Sequence, residues 1–239
     1  MKKLILIATY NEIDNIGLLL NEVFGIVKDV DVLVIDDSSP DKTYELVEDL
    51  IQNKYPNNLF LMKRSGKLGL GTAYVAGFNW GIDREYDVIL HMDADFSHHP
   101  KYLHQFFEEI KTNDVVIGSR YIKGGGVVNW GIIRKIISKG GSFYSRLILG
   151  INVRDLTGGF KCFKKEVLNA IDINNLKSNG YSFQVETTYK SILNGFKVKE
   201  IPIIFEDRRV GQSKMSYKIF IEALFMIVKL KWLHIINKL

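Results

Sequence analysis

The chain has 239 residues, of which 46% are hydrophobic and 25% charged, with a formal net charge of +5 and one cysteine, Cys162. That is the composition of a folded domain, and it excludes a disulfide framework and a four-thiolate zinc site. The positive balance points to an anionic partner, whether nucleic acid, lipid headgroups or phosphorylated small molecules. With no basic, apolar leader at its start, the chain is expected to stay in the cytoplasm.

Short β-branched apolar runs then alternate with segments of helical period. In chain order they are LILIATY, a helix over Ile16 to Val27, VDVLVIDDSS, a helix over Tyr44 to Asn53, NLFLMKR, and a helix over Thr72 to Arg84. YDVILHMDAD follows, then a helix over Pro100 to Lys111 whose proline suits a first turn, then DVVIGSRY. Runs of this kind read as strands buried on both faces. The alternation predicts an α/β fold, a Rossmann-like and mostly parallel sheet with helices on both faces. Such sheets bind ligands outside the carboxyl ends of their strands, where TYNE, DDSS and DAD fall.

Beyond GSRY, the run Gly124, Gly125, Gly126 predicts a mobile loop or hinge. A helix over Ile132 to Leu149, the loop VRDLTGGFKCF, a helix over Phe183 to Leu193, a strand VKEIPIIF and the loop EDRRVGQSKMS come next. An amphipathic helix closes the chain, so the expected division is a catalytic domain over 1–216 and a helix over 217–239. The longest strongly apolar stretch, Ile219 to Val228, contains Glu222 and is shorter than the about 20 apolar residues a membrane span needs.

Asp93 and Asp95 stand one residue apart where the fourth apolar run ends. On a fully extended strand they would share a face about 6.5 Å apart, so gripping one ion requires the chain to curl after Asp93. Clustered carboxylates repel unless a cation neutralises them, and Mg²⁺ or Mn²⁺ bridging to substrate phosphates suits two oxygen ligands. The competing reading is that Asp95 and Ser97 cap the helix at Pro100. His91, His98 and His99 lack the spacing of a zinc site, and His98 and His99 are expected to shape the turn. KLGLGTAYVAG is neither a P-loop nor a dinucleotide fingerprint. Gly77 and Gly81 suit close packing of helix on sheet, while Lys67, Gly69 and Gly71 could close over an anion.

The ordered set TYNE, DDSSPDKT, GKLGLGTAYVAGF, MDADFSHHP, VIGSRY, LTGGFKCF, GYSFQVE and RRVGQSKMS resembles the polyprenol-phosphate (dolichol-phosphate) mannosyltransferases of the inverting GT-A glycosyltransferase family 2. The likeness runs from about residue 4 to about residue 217. It implies a GT-A fold and transfer of mannose from GDP-mannose to dolichyl or polyprenyl phosphate with Mg²⁺ or Mn²⁺. Ala8, at a position usually proline, Tyr10 and Glu12 match the first nucleotide loop, with Glu12 on the ribose. Ile35 and Asp37 match the second loop, with the aspartate at the guanine, and Lys67 matches the glycine-rich loop. Asp93, Ala94 and Asp95 match the metal and diphosphate motif, joined by Ser97 where some relatives carry glutamine. Arg120, Arg134, Arg208 and Lys214 match the basic positions around donor diphosphate and acceptor phosphate. Asp95, Arg120 and Arg134 are the expected catalytic residues.

A phosphate monoester has a second pKa of about 6 and can attack without a general base, so the task is to bring two anions together, which requires cations. Attack opposite GDP would invert the donor to a β-mannosyl phosphate lipid. The stretch from Gly124 to Gly141 and the last helix mix apolar, tryptophan and basic residues, as helices lying in a headgroup layer do. A core or dimer helix is the equal alternative for the last one. Peripheral contact on the cytoplasmic membrane face is expected, with room for a membrane-anchoring partner protein. The alternatives are a UDP-sugar-dependent glucosyl- or GlcNAc-type transferase and a non-catalytic nucleotide-binding adaptor. No nucleic-acid partner is expected, because the basic residues form no continuous stripe.

Overall fold

Alternation along β1 (Lys3–Thr9) sends Ile5 and Ile7 into one hydrophobic core and Leu4 and Leu6 into another, all four fully buried. A strand inside a two-faced sheet requires this, and the other elements follow from it. The computed structural model describes residues 1–176, 178, 181–206 and 217–236, without the side chains of 181 and 217–223.

The elements run α1 (Ile13–Ile26), β2 (Asp31–Asp36), α2 (Thr43–Asn53), β3 (Leu59–Lys63), α3 (Leu70–Asp83) and β4 (Val88–Asp93). A short 3-10 turn at Pro100–Tyr102 leads into α4 (Leu103–Glu109), β5 (Val115–Ser119), β6 (Gly126–Val128) and α5 (Ile132–Leu149). The rest is β7 (Lys161–Lys164), α6 (Lys165–Ala170), α7 (Tyr181–Leu193), β8 (Val198–Pro202), β9 (Ile204–Glu206) and α8 (Tyr217–Ile235). Among the described residues the main sheet has the order β3-β2-β1-β4-β7-β5-β8, with β6 and β9 paired apart from it. Pairing is parallel except at β7, which lies antiparallel between β4 and β5.

Helices α1, α2 and α4 pack on one face, and α3, α6 and α7 on the other. Helix α3 comes close because Gly77 and Gly81 lack side chains. A Cβ at Gly77 would stand 2.6 Å from Ile35 Cδ1 and 2.9 Å from Leu6 Cδ1, and one at Gly81 would stand 2.6 Å from Ile89 Cδ1.

Three expectations need correction. VKEIPIIF is two strands, because the chain leaves the main sheet after Pro202, which lacks the N–H a ladder needs, and β9 pairs with β6. The triple glycine is a packed turn, fixed by Gly125 N–H to the Ile122 carbonyl and Gly126 N–H to the Ile203 carbonyl, both 3.0 Å. KCFK within the loop after Leu149 is strand β7. Helix α8 lays Ile227 and Leu230 into the second core, Lys231 Nζ donates to the Leu149 carbonyl, and Phe225 and Trp232 stay exposed.

Candidate active site

Parallel register brings the carboxyl ends of three strands level. Ala8 pairs with Ile35 of β2 on one side and with Asp93 of β4 on the other, so three of the expected site residues form one row across the sheet. The loops beyond that row are tied to one another. Asp36, fully buried, accepts from Thr9 Oγ1 at 2.8 Å, Ser39 Oγ at 2.6 Å and Ser39 N–H at 2.9 Å. Ser39 Oγ in turn accepts from Asn11 N–H at 3.0 Å. Glu12 N–H donates to Thr43 Oγ1, and the Glu12 carboxylate accepts from Asn15 at 3.0 Å. Lys67 Nζ stands 4.5 Å over the Tyr10 ring, which joins the glycine-rich segment to the first loop.

Asp37 faces Arg64, a residue the sequence reading did not single out. Its Oδ1 is 3.1 Å from Arg64 Nη1, and the guanidinium also donates to Thr72 Oγ1 at 2.7 Å. Burial raises the Asp37 pKa, and the Arg64 charge opposes that rise.

The chain does curl after Asp93. Phe96 adopts φ 64°, and Asp95 Oδ1 accepts Ser97 N–H at 3.1 Å. Asp95 and Ser97 are buried, whereas the Asp93 side chain is 37% exposed. His98 does more than shape the turn. Its Nδ1 accepts Asp93 N–H at 3.0 Å, and the ring stacks on Phe160 at 5.0 Å. Burial lowers its pKa, opposed by the charges of Asp93 and Asp95. His99 accepts from Lys101 N–H and so caps the 3-10 turn, the role the competing reading gave to Asp95 and Ser97. His91 points elsewhere, toward Gln184.

Arg120 leaves β5 into a buried clamp. Asp155 accepts its Nε at 2.7 Å, its Nη2 at 2.6 Å and its backbone N–H at 2.9 Å, and Thr157 Oγ1 takes Nη2 at 3.0 Å. Burial pushes the Asp155 pKa up, yet the Arg120 charge and hydrogen bonds outweigh it and hold the pKa below its ordinary value. Glu200 fixes the same loop by accepting the N–H groups of Arg154 and Asp155. Arg134, in the first turn of α5, places its guanidinium 4.1 Å over the Trp130 ring, and that of Arg120 lies 5.6 Å from it. Phe205 spans to the acidic turn, with its ring 5.5 Å from His98 and 5.4 Å from the Arg120 guanidinium. Carboxylates and guanidiniums therefore flank one aromatic cluster. Arg208 and Lys214 lie outside the described residues.

Asp155 and Gln184 sit inside the quoted motifs, but only their partners across the sheet identify them. Lys161 was hidden as well. Fully buried, it donates to the Leu156 and Gln184 carbonyls and to Thr188 Oγ1, tying the Asp155 loop to α7.

Among the described residues, no three carboxylate, imidazole or thiolate groups converge on one point. The pair Asp93 and Asp95 on a curled turn fits a hard divalent ion that completes its shell with substrate phosphate and water. Among the same residues, no helix is long and apolar enough to cross a membrane.

The Glycosyl transferase family 2 model matches residues 4–172. The undecaprenyl-phosphate mannosyltransferase of Micrococcus luteus is 42% identical over 229 residues, covering 96% of this chain and 93% of that one. The polyprenol monophosphomannose synthase of Mycolicibacterium smegmatis is also 42% identical, covering 95% of this chain and 86% of that one. Among solved structures, glucosyl-3-phosphoglycerate synthase of Mycobacterium tuberculosis, in complex with Mn²⁺, UDP and glucosyl-3-phosphoglycerate, matches with a TM-score of 0.66 at 14% identity. That match covers 98% of this chain and 79% of the other. A mannosyltransferase from Pyrobaculum calidifontis in complex with GDP-Man and Mn²⁺ matches with a TM-score of 0.60 at 14% identity, covering 96% of this chain and 69% of the other. At those identities the two structures speak for the fold.

Proposed function

The chain belongs to glycosyltransferase family 2, among the polyprenol-phosphate mannosyltransferases, and we propose that it moves mannose from GDP-mannose to the phosphate of a polyprenyl or dolichyl lipid. The observation that carries the reading is the shared aromatic cluster. His98 and Phe205 separate the carboxylate turn from Arg120 and Arg134, so a diphosphate and a second phosphate can be held near each other by opposite means.

On this reading Ala8, Tyr10, Glu12, Ile35, Asp37 and Lys67 hold the nucleotide, and Asp93, Ala94, Asp95 and Ser97 the diphosphate end. Bound Mg²⁺ or Mn²⁺ supplies charge that offsets the leaving diphosphate. Arg134, with Arg208 and Lys214, orients the acceptor. Arg120 is preset by Asp155, so it meets the phosphate without losing side-chain freedom at that moment. The acceptor oxygen attacks the anomeric carbon as the bond to GDP breaks, giving the β-mannosyl phosphate lipid and GDP. No side chain has to take a proton, since the acceptor is already mostly dianionic at neutral pH.

The lipid end of the acceptor has a surface to meet. Ile132, Ile133 and Ile136 are 76%, 75% and 65% exposed and flank Arg134, while Phe225, Trp232 and Ile235 are exposed on α8. Helices α5 and α8 therefore present apolar rows beside basic residues, as interfacial helices do, which supports peripheral binding to a membrane; the cytoplasmic face is the proposed side. Thermal shift with Mn²⁺ separates the donors, because the donor bound most tightly stabilises most. The largest shift is expected with GDP-mannose. A larger one with UDP-glucose or UDP-GlcNAc would refute the donor assignment.

A further inference from the structure

Strands β6 and β9 stand apart from the main sheet, and the ribbon they form presents Phe205 and, two residues past the end of β6, Trp130. Val127 of β6 pairs with Phe205 of β9, and the chain then turns at Asn129, whose φ of 62° suits a short polar side chain. Trp130 is only 8% exposed and meets Phe205 edge to face, with centroids 5.3 Å apart and planes at 72°. A packed, buttressed ring therefore stands four residues before Arg134.

Arg134 lies in the first turn of α5 between exposed apolar residues, and an arginine has more rotamer freedom to lose than most side chains. Its guanidinium stands 4.1 Å over the Trp130 ring, well inside cation–π range. Arg120 is held differently, by hydrogen bonds to Asp155, with its guanidinium 5.6 Å from the same ring. A carboxylate fixes an arginine but places a negative charge beside it. An aromatic face attracts the guanidinium and brings no net charge, so it can orient a cation next to an anion's site without repelling the anion.

On the proposed function, which this inference rests on, Arg134 meets the acceptor phosphate. We propose that Trp130 is the positioning residue of that contact. Its ring holds the Arg134 guanidinium in place for the phosphate of the lipid, while Phe205 and the paired strands β6 and β9 hold the ring. Trp130 acts only through Arg134.

Fluorination tests this with little change in the shape of the side chain. Each fluorine withdraws electron density from the indole face and weakens its attraction for a cation. Tryptophans carrying one to three fluorines are placed at position 130 alone in the full chain, and binding of a short-chain polyprenyl phosphate is measured by calorimetry. A whole cation–π contact changes an equilibrium about 2- to 30-fold, so the Kd should climb in step with fluorine number, several-fold across the series. In an Arg134→Gln background the same series should be flat, because the cation is gone. GDP binding with Mn²⁺ should hold steady throughout, since Asp155 fixes Arg120. A Kd that ignores fluorine number, one that climbs equally in Arg134→Gln, or a parallel loss of GDP binding would overturn the inference and leave the transferase reading standing. No binding of the lipid phosphate by the unmodified chain would remove the acceptor reading and the inference with it. The measurement uses no sugar nucleotide, so it stands whichever donor the chain takes.

Discussion

Replacing Asp155 by asparagine keeps the shape of the side chain and removes the charge against which Arg120 is built. Three hydrogen bonds from Arg120 end on this carboxylate at 2.6 to 2.9 Å, and Asp155 is fully buried. Breaking one side of such a pair costs about 3–5 kcal/mol, because the partner stays buried without its counter-charge. For a chain of this size that corresponds to a fall in Tm of roughly 6–20 °C. Chemical and thermal denaturation at neutral pH measure it. The pH dependence has a definite sign. The folded pKa of Asp155 is held below 3.8, so its contribution is present above that pH and is lost as pH falls through the folded value. The gap between wild type and Asp155→Asn should therefore close in acid. A destabilisation under about 1 kcal/mol, or a gap that persists in acid, would refute the claim that this pair fixes Arg120.

Other perturbations follow from the same geometry. Asp95→Ala is expected to abolish transfer and Mn²⁺-dependent GDP binding with Tm nearly unchanged, and retained turnover would remove the metal-site argument. Gly77→Ala should destabilise by about 1–3 kcal/mol in a urea melt, since the added methyl meets Ile35 and Leu6 below 3 Å; a neutral result would show that the core yields there. Burial pushes Lys161 down to about 7 from 10.5, so between those values the unfolded chain holds a proton that the folded one lacks. Its contribution to stability thus rises with pH across that window, and Lys161→Met should flatten the curve. Ile133→Glu with Ile136→Glu should weaken co-sedimentation with anionic vesicles several-fold, since both side chains stand exposed beside Arg134.

The strands were legible because burial on both faces leaves continuous apolar runs such as LILIAT and VILHM, and the row of Ala8, Ile35 and Asp93 was legible because loops at the strands' carboxyl ends carry TYNE, DDSS and DAD. Strand β7 was not, since four residues behind two glycines carry no period. The break at Ile203 was missed because VKEIPIIF stays apolar across it, and only pairing distinguishes β8 from β9. The turn at Asp93 and Asp95 was foreseen to curl, while the part of His98 was underestimated, because a bond from its ring to Asp93 N–H spans five residues. The partners that set the basic side, Arg64 for Asp37 and Asp155 for Arg120, are 27 and 35 residues from the groups they hold. Such pairs are fixed by the order of strands in the sheet and have no local signature.

Transfer itself tests the account most directly. The full chain is incubated with labelled GDP-mannose, polyprenyl phosphate and Mn²⁺ or Mg²⁺, with and without a chelator, and the organic phase is examined for the anomeric configuration of the lipid-linked sugar. The expected product is β-mannosyl phosphate lipid with one GDP released per sugar moved, lost on chelation. No lipid-linked mannose under either ion, or an α-linked product, would contradict it.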